Sequence, residues 1–228
     1  MSDFVHLHLH SEYSLLDGAC RIKDIPAAVK AAGMTACALT DKGVMYGAVE
    51  FYKACKSEGI KPIIGCDAYV ADKSGAVSSP ASGADSLVLL AENETGYRNL
   101  IRLVSLGFTE GYYIDPVIDI RELAEYHEGI IALSSGMKGG VAGVIRKGDI
   151  SGARDYAVRM DSVFGRGNFF LEISDHGDSG EYQTMRRVVE IAKDTGIPLV
   201  LTNDVYYLSK KDAAARRVDK SSSSLFNL

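Results

Sequence analysis

The chain has 228 residues, and its 25 Lys and Arg residues against 30 Asp and Glu residues give a formal net charge of −5. This length and a hydrophobic fraction of 46% suit a single α/β domain with a sizeable core. Because non-specific affinity for nucleic acid comes mainly from Lys and Arg, the charge balance disfavours a domain that grips a phosphate backbone by itself.

The four cysteines are not arranged as zinc ligands, since none of them stands in a CxxC or similar spacing. They are typical of free thiols in a reducing cytosol. No apolar run approaches the roughly 18 residues that a membrane span requires, and the first residues lack the basic and apolar regions of a signal peptide. We therefore expect a cytoplasmic protein with no membrane partner.

Strand-like and helix-like segments alternate along the chain. The first segment, FVHLHLH, has the period of two that is typical of a strand. Further apolar strands are predicted at 36–41, 61–71, 86–93, 129–136, 168–174 and 197–204. Helical periodicity and glycine stop signals predict helices at 22–33, 44–59, 94–108, 152–165 and 182–196. A Ser-, Gly- and Ala-rich stretch is predicted to be a surface loop at 72–85.

The order of these elements indicates an α/β fold. Strands that are apolar on both faces and alternate with helices imply a parallel sheet covered by helices. About seven such strands are enough to close into a barrel, and the pattern alone leaves an open sheet as the alternative. The last residues, 219–228, break the pattern and are predicted to be a disordered or foreign tail.

Three of the five histidines stand in the first strand. Because successive side chains of a strand alternate, His6, His8 and His10 are predicted to share one face, with Asp17 following. Three imidazoles on one face are costly to bury without a partner. A metal site, present or ancestral, is therefore one interpretation of this segment.

Other polar residues fall at or near the ends of later strands. They are Asp41, Asp67, His176 and Asp204. The C-terminal ends of barrel strands meet at one rim, and imidazole with carboxylate is the ligand set for zinc, manganese or iron. The alternative is structural, since a His at a strand end is often simply hydrogen-bonded and an Asp there often caps the next helix.

Six stretches of the chain match one known family in the family's own order. They are FVHLHLHSEYSLLDG, ALTDKGVMYGAVEFYKACKSEGIKPIIGCDAYVA, ENETGYRNLIRLVSLGFTEGYY, EGIIALSSG, FFLEISDHG and PLVLTNDVYYLSKKDAAA. The chain resembles the PHP (polymerase and histidinol phosphatase) domain, in the form found at the N-terminus of bacterial DNA polymerase III alpha subunits. The resemblance implies a distorted (β/α)7 TIM-like barrel over residues 1–218, with metal ions at the C-terminal strand ends.

The resemblance places part of the family's ligand set on this chain. The family's HxH pair falls on His8 and His10, and its following aspartate on Asp17. Asp67 stands where the family has a glutamate, and Asp204 remains from the closing NDxH motif. These five residues are expected to form a vestigial or partial metal site, to which His6, Asp41 and His176 are candidate additions.

Four other ligand positions of the family are substituted. Lys42 replaces the histidine of TDHG, and Tyr206 replaces the histidine of NDxH. Ser86 and Gly136 align with two further ligands. Lys42 is expected to neutralise nearby carboxylates in place of an ion, because a protonated ammonium cannot ligate a metal. We expect either no metal or one weakly bound divalent ion, zinc, manganese or magnesium, and the loss of phosphoesterase activity.

Three functions follow as hypotheses. In the first, the chain is a structural and docking domain joined to the remainder of a polymerase subunit. It would bind a separate proofreading exonuclease subunit, contact DNA only through the parent protein and have no polymerase activity alone. In the second, it is a metal-dependent phosphoesterase or a 3′–5′ exonuclease acting on nucleic acid or small phosphate esters, with the two-metal chemistry of such enzymes. In the third, it is an interaction module unconnected with replication.

Overall fold

A computed structural model describes residues 4–72, 84–112 and 114–213 of the chain. The strands are β1 Ala36–Leu39, β2 Lys61–Ala71, β3 Asp85–Ala91, β4 Val117–Asp119, β5 Ile130–Leu133, β6 Phe169–Ile173 and β7 Leu199–Leu201. The helices are α1 Ile25–Ala31, α2 Ala48–Glu58, α3 Glu94–Thr109, α4 Ile120–Glu125, α5 Gly140–Arg146, α6 Ile150–Phe164 and α7 Ser179–Thr195. Most of the predicted loop at 72–85, the domain boundary at 218 and the predicted tail lie outside the described residues.

The predicted elements are found where local signals are strong. Pro26 lies in the first turn of α1, where its missing N–H costs nothing. Helices α2 and α7 end at Gly59 and Gly196, both with a φ of 73°, a conformation that favours glycine. The sequence patterns missed β4, α4 and α5, which have only three to seven residues each. The signal for α4 was available, because Asp119 and Glu122 form a capping box.

The strands form one sheet in the order β1-β2-β3-β5-β6-β7, with β4 paired to the end of β2. Strands β1, β2 and β4 run parallel, as do β5, β6 and β7. The expectation of a wholly parallel sheet is wrong for β3, which runs antiparallel to both β2 and β5. Pairing direction is set by the connection between two strands, and most of the connection from β2 to β3 lies outside the described residues.

The N-terminal segment connects the two edges of this sheet. His6 bridges Cys37 in β1, and Leu9 bridges Val205 beyond β7, both in parallel orientation. Backbone hydrogen bonds join His10 to Val205 and Val205 to His8 at 2.8 and 2.9 Å. The sheet therefore curls into the distorted α/β barrel that the sequence predicts, with this segment between its first and last strands.

An apolar cluster fills the lower interior of the barrel. Every strand but β4, and the N-terminal segment too, contributes to it, through Leu7, Ala38, Ile63, Val88, Leu90, Ile131, Leu133, Phe170 and Val200. Because alternate residues of a strand share a face, Glu172 lies above Phe170 and Thr202 above Val200. Both polar residues are buried. The interior thus changes from apolar to polar toward the C-terminal strand ends, which is where the candidate site lies.

The helices pack outside the sheet in two larger apolar clusters. One contains α3, α5, α6 and α7 with the outer faces of β2, β3, β5 and β6, and the other contains α1 and α2 with β1. Leu9 belongs to this outer cluster although Leu7 points inward, so the period of two is interrupted within the first segment. None of the described helices is long and apolar enough to cross a membrane.

Two glycine substitutions test the packing of α3 against the sheet. A Cβ at Gly96 would overlap the backbone carbonyl of Gly129, whereas one at Gly143 in α5 meets nothing within 4 Å. We expect Gly96→Ala to lower the free energy of unfolding by about 1–3 kcal/mol through overpacking. Gly143→Ala should raise it by about 0.5–1 kcal/mol, because alanine favours the helix. Urea denaturation measures both, and equal effects of the two substitutions would contradict the packing described here.

Candidate metal centre

Two histidine rings lie side by side at the C-terminal end of the barrel interior. The ring centroids of His8 and His10 are 4.9 Å apart, and both side chains are buried. The backbone bonds of this segment to Val205 bring it beside Asp204, so that His10 Nε2 lies 3.0 Å from Asp204 Oδ1 and His8 Nε2 3.4 Å from it. The ligand atoms of His8, His10 and Asp204 all lie within 4.8 Å of one another, close enough to hold one metal ion.

Two more carboxylates face the same histidines. Asp67, in the middle of β2, places Oδ2 at 3.7 Å from His8 Nε2 and 4.0 Å from His10 Nε2. Glu172 of β6 accepts a hydrogen bond of 2.8 Å from His8 Nδ1 and another from the hydroxyl of Thr202. A carboxylate on the far nitrogen fixes the ring so that Nε2 points at the centre, which is a common arrangement for metal-ligating histidines.

Three buried atoms at this centre lack a hydrogen-bond partner among the described residues. They are His8 Nε2, Asp67 Oδ2 and Glu172 Oε2. Such atoms are costly to bury, and most buried polar groups are satisfied. The first two face one another across a gap too long for a strong hydrogen bond. The donor set of imidazole nitrogen and carboxylate oxygen therefore fits a divalent metal ion between them.

The pKa values of the two histidines shift in opposite directions. Burial by itself lowers the pKa of His8, but Glu172, Asp67 and Asp204 outweigh it and raise the pKa well above its ordinary value. Burial lowers the pKa of His10, and the neighbouring charge of His8 lowers it further. The surrounding carboxylates therefore favour protonation of His8, and burial disfavours protonation of His10. A metal ion at His8 would compete with a proton for the ring nitrogen.

Both aspartates stay ionised at neutral pH. Burial alone would raise the pKa of Asp204, but the hydrogen bond with His10 and the charges of His8 and Lys138 hold it well below its usual range. The pKa of Asp67 is also lowered, against burial, chiefly by His8. Ser135 adds a hydrogen bond of 3.1 Å to Asp67 Oδ1.

Two lysine ammonium groups reach the rim of the centre. Lys42 forms an ion pair with Asp17, and its Nζ lies 5.3 Å from the ring centroid of Tyr206. Lys138 donates 2.8 Å to Asp204 Oδ2 and also contacts the hydroxyl of Tyr206. Lys42 thus pairs with one of the nearby carboxylates, as predicted, whereas Lys138 lies against Asp204. The sequence motifs gave no sign of Lys138, which reaches Asp204 from a turn after β5.

Tyr206 fills space at the mouth of the centre. Its ring stacks on His10 with centroids 4.3 Å apart and planes 10° from parallel. The phenol lies between the histidines and both ammonium groups, where the family pattern has a histidine. Tyr206 therefore acts here as a packing residue that covers one face of His10.

Asp41 and His6 make contacts away from the centre. The carboxylate of Asp41 accepts hydrogen bonds from the backbone and hydroxyl of Ser11 and from the hydroxyl of Ser14. The ring of His6 packs edge-on against Phe4, and burial lowers its pKa. Neither residue belongs to the group of ligand atoms formed by His8, His10 and Asp204, and both stay candidate additions only.

His176 lies across a cavity of about 410 Å³ that Asp204, Lys138 and Tyr206 also line. Its two ring nitrogens are hydrogen-bonded, at 2.8 Å to the carboxylate of Glu181 and at 2.7 Å to the carbonyl of Asn203. The bond to Asn203 joins the loop after β6 to the loop after β7, and the bond to Glu181 joins His176 to the first turn of α7. His176 is placed to hold the wall of the cavity.

The other two substituted positions are Ser86 and Gly136. Ser86 pairs with Tyr69 at the start of β3 and bridges Gly139. Gly136 opens a short 3-10 helix after β5 with a φ of 49°. Neither supplies an imidazole or a thiolate. The residue that sequence reasoning should have found is Glu172, because an acid within the apolar strand FFLEI predicts a buried partner.

Comparison with known proteins supports the assignment of the fold and family. Residues 6–176 match the family described as PHP domain. The DNA polymerase III subunit alpha of Treponema pallidum is 43% identical over 218 residues, which are 94% of this chain and 19% of that protein. The same subunit of Deinococcus radiodurans is 41% identical over 222 residues, 93% of this chain and 17% of that protein. The chain thus spans about a fifth of the length of these relatives.

Two solved structures share the fold. A candidate metal-dependent phosphoesterase from Bifidobacterium adolescentis aligns with a TM-score of 0.56 and 11% identity, over 90% of this chain and 88% of that one. An amidohydrolase from Chromobacterium violaceum, with bound sulfate and no metal, aligns with a TM-score of 0.56 and 12% identity, over 94% and 96% of the two chains. At this level of identity the likeness concerns the fold alone.

The role of Glu172 in this centre can be tested by removing its charge. Glu172→Gln keeps the shape of the side chain but replaces the carboxylate that accepts the hydrogen bond from His8 Nδ1. We expect the free energy of unfolding to fall by about 1–3 kcal/mol, as for other buried charge-assisted bonds. Glu190→Gln, in an exposed pair with Arg187 on α7, should cost no more than about 0.5 kcal/mol. Urea denaturation at pH 7 compares the two, and a Glu172 variant as stable as the control would contradict this account.

Proposed function

This chain belongs to the PHP domain family, and we propose that it is the PHP domain of a bacterial replicative DNA polymerase alpha subunit, with a structural and docking role. Relatives that are 41–43% identical over more than nine tenths of the chain support this parentage. The polymerase activity would then reside in the remainder of the subunit. With a net charge of −5, the domain would meet DNA through the parent protein and not by itself.

The main support for a structural role is the presence of two lysine ammonium groups at the rim of the candidate metal centre. Lys42 and Lys138 hold Asp17 and Asp204, two carboxylates that would otherwise balance metal ions. Tyr206 occupies the face of His10 between them. Phosphoester hydrolysis of this kind uses two or more ions, one for the nucleophile and one for the leaving oxygen. A centre with lysine at these places has room and charge for one ion at most.

That one ion would be held by His8, His10 and Asp204, with Asp67 facing the same point. When bound, it would supply Lewis-acid polarisation of an oxygen ligand. The residues of the chain do the rest: Glu172 orients the ring of His8, Ser135 orients Asp67, and Lys138 competes for Asp204. Because Lys138 already pairs with Asp204 and a proton competes with a cation for His8, we propose weak binding, by zinc, manganese or magnesium.

A second candidate function is residual phosphoesterase or 3′–5′ exonuclease activity. The observation in its favour is the pair of buried atoms without partners, His8 Nε2 and Asp67 Oδ2, which suits a working ligand set better than a purely structural one. The candidate substrates are nucleic acid ends and small phosphate esters. Because Lys42 and Lys138 occupy the carboxylates that would bind further ions, we consider this activity the second candidate. A separate exonuclease subunit is then the proposed source of proofreading, docked on this domain.

Restoring the family's imidazoles provides a test of the degenerate centre. We expect the wild-type chain to bind no more than one zinc or manganese ion, measured by calorimetry and elemental analysis. The double variant Lys42→His, Tyr206→His should bind a further ion, because it exchanges an ammonium and a phenol for two ligands. Lys61→His, at an exposed site at the start of β2, serves as the matched control and should leave the stoichiometry unchanged. Two or more tightly bound ions in the wild type would contradict the proposal.

Activity separates the two candidate functions. We expect the chain alone to release no nucleotide from a primer 3′ end and no phenolate from a chromogenic phosphodiester with added manganese. The full-length protein should extend a primer. Nuclease activity of the chain that disappears both with chelator and in His8→Ala would favour the second candidate, and a full-length protein without primer extension would remove the polymerase parentage.

A further inference from the structure

Exposed apolar side chains collect in a groove beside the candidate metal centre, with a volume of about 740 Å³. We call it the aromatic groove. Its exposed apolar side chains are Leu15, Leu16, Tyr46, Phe108, Tyr112 and Ile114. Lys42 and Asp17 also line it. The groove therefore adjoins the candidate metal centre through the Lys42–Asp17 ion pair.

The exposure of these side chains is large for a free surface. Leu15 is 76% exposed, Tyr46 63% and Ile114 61%. The ring of Phe108 stacks on Tyr112 at 5.7 Å between centroids and lies 6.5 Å from that of Tyr46, which makes one continuous aromatic surface. Monomeric proteins rarely expose contiguous apolar patches of this kind unless the patch binds something.

The backbone at one side of the groove is strained. Leu16 has a φ of 64°, a conformation in which a side chain with a Cβ is disfavoured by about 1–2 kcal/mol. The turn that contains it holds Leu15 and Leu16 outward, and Leu16 is 49% exposed. A chain that held these leucines in water for no purpose would gain stability by relaxing this turn. The strain is consistent with a leucine pair presented to a partner.

The charges around the groove are mostly negative. Asp115 lines it, and Tyr13, another lining residue, donates a hydrogen bond to Glu50. The pKa of Tyr13 is raised chiefly by Glu50, and that of Tyr69 by burial and then by Asp115. Of the described residues that line the groove, Lys42 is the cation, and Asp17 already holds it. A partner with positive charge at its edges is therefore favoured.

These charges decide between two kinds of occupant. Aromatic rings also serve as stacking platforms for single-stranded nucleic acid, but such sites pair the rings with Lys and Arg that follow the backbone. The carboxylates beside this groove would repel phosphates. A protein segment whose apolar side chains are flanked by Lys or Arg matches both the apolar floor and the acidic edge.

We propose that the aromatic groove is the docking surface for another part of the same longer polypeptide, a segment of apolar residues flanked by Lys or Arg. The inference rests on the proposed function, since it requires that the chain belongs to a longer subunit. More than four fifths of the length of the relatives lies outside the matched region. Burial against another part of the same polypeptide would keep this apolar surface from water.

The proposal is tested in the full-length protein by oxidative labelling of tyrosines. Tyr46 and Tyr112 are compared with Tyr182 on α7, which is 54% exposed and serves as the matched control. Each labelling rate is divided by the rate of the same tyrosine in the unfolded protein. We expect Tyr46 and Tyr112 to be protected at least about fivefold and Tyr182 less than about twofold, since an interface core excludes water. Protection of less than about twofold at Tyr46 and Tyr112 would overturn the proposal.

Charge placed in the groove gives a second test. In the full-length protein, Tyr112→Glu with Ile114→Glu should raise the labelling of Tyr46 several-fold, whereas Tyr182→Glu should not. A photo-crosslinker at position 112 identifies the occupant. Crosslinks to residues of the same polypeptide beyond the matched region support the proposal. Crosslinks to a second copy, to another protein or to single-stranded DNA, or none, contradict it. Primer extension by the same preparation tests the proposed function separately. A failure of the docking proposal can thus be told apart from a failure of the proposed polymerase parentage.

Discussion

The arrangement at the top of the barrel depends on how three carboxylates are neutralised, two of which are buried. Asp67 in β2, Glu172 in β6 and Asp204 after β7 converge on His8 and His10, where an unpaired charge is costly. The ammonium of Lys138 pairs with Asp204, and the carboxylates around His8 favour its protonation. The tyrosine on His10 and the lysine on Asp17 then cover the remaining open side. A protein that uses side-chain cations for this purpose has no electrostatic need of several metal ions.

The sequence predicts the fold well wherever local patterns decide the structure. Strand β2 has the predicted bounds, because an apolar pattern between Gly59 and a loop leaves little freedom. The direction of β3 could not be predicted, since pairing direction depends on the connection and not on the strand itself. For the site, motif positions identified His8, His10, Asp67 and Asp204. They missed Lys138, because a long flexible side chain acts at a distance that no sequence spacing records.

The centre and the aromatic groove share a structural signature. Among the described residues, three other than glycine have positive φ, namely Leu16, Ser135 and Asp204. Asp204 and Ser135 direct their side chains to the histidines and to Asp67, and Leu16 faces the groove. Such residues persist only where the surroundings hold them. Strain is thus concentrated on the two surfaces to which we assign functions, and Lys42 and Asp17 lie where these surfaces meet.

The closure of the barrel by its first segment has a consequence for how the protein is made. His10 and Asp204 are 194 residues apart in the chain, so the centre cannot form until almost the whole domain has left the ribosome. Until then the first segment and the last strand each present an unpaired edge, which is the kind of surface that associates wrongly between chains. An ion held between the two ends would also act as a removable cross-link over one of the longest loops in the fold, where loop closure costs the most entropy. Even without catalysis, metal binding at this centre would stabilise the folded domain after its two ends have come together.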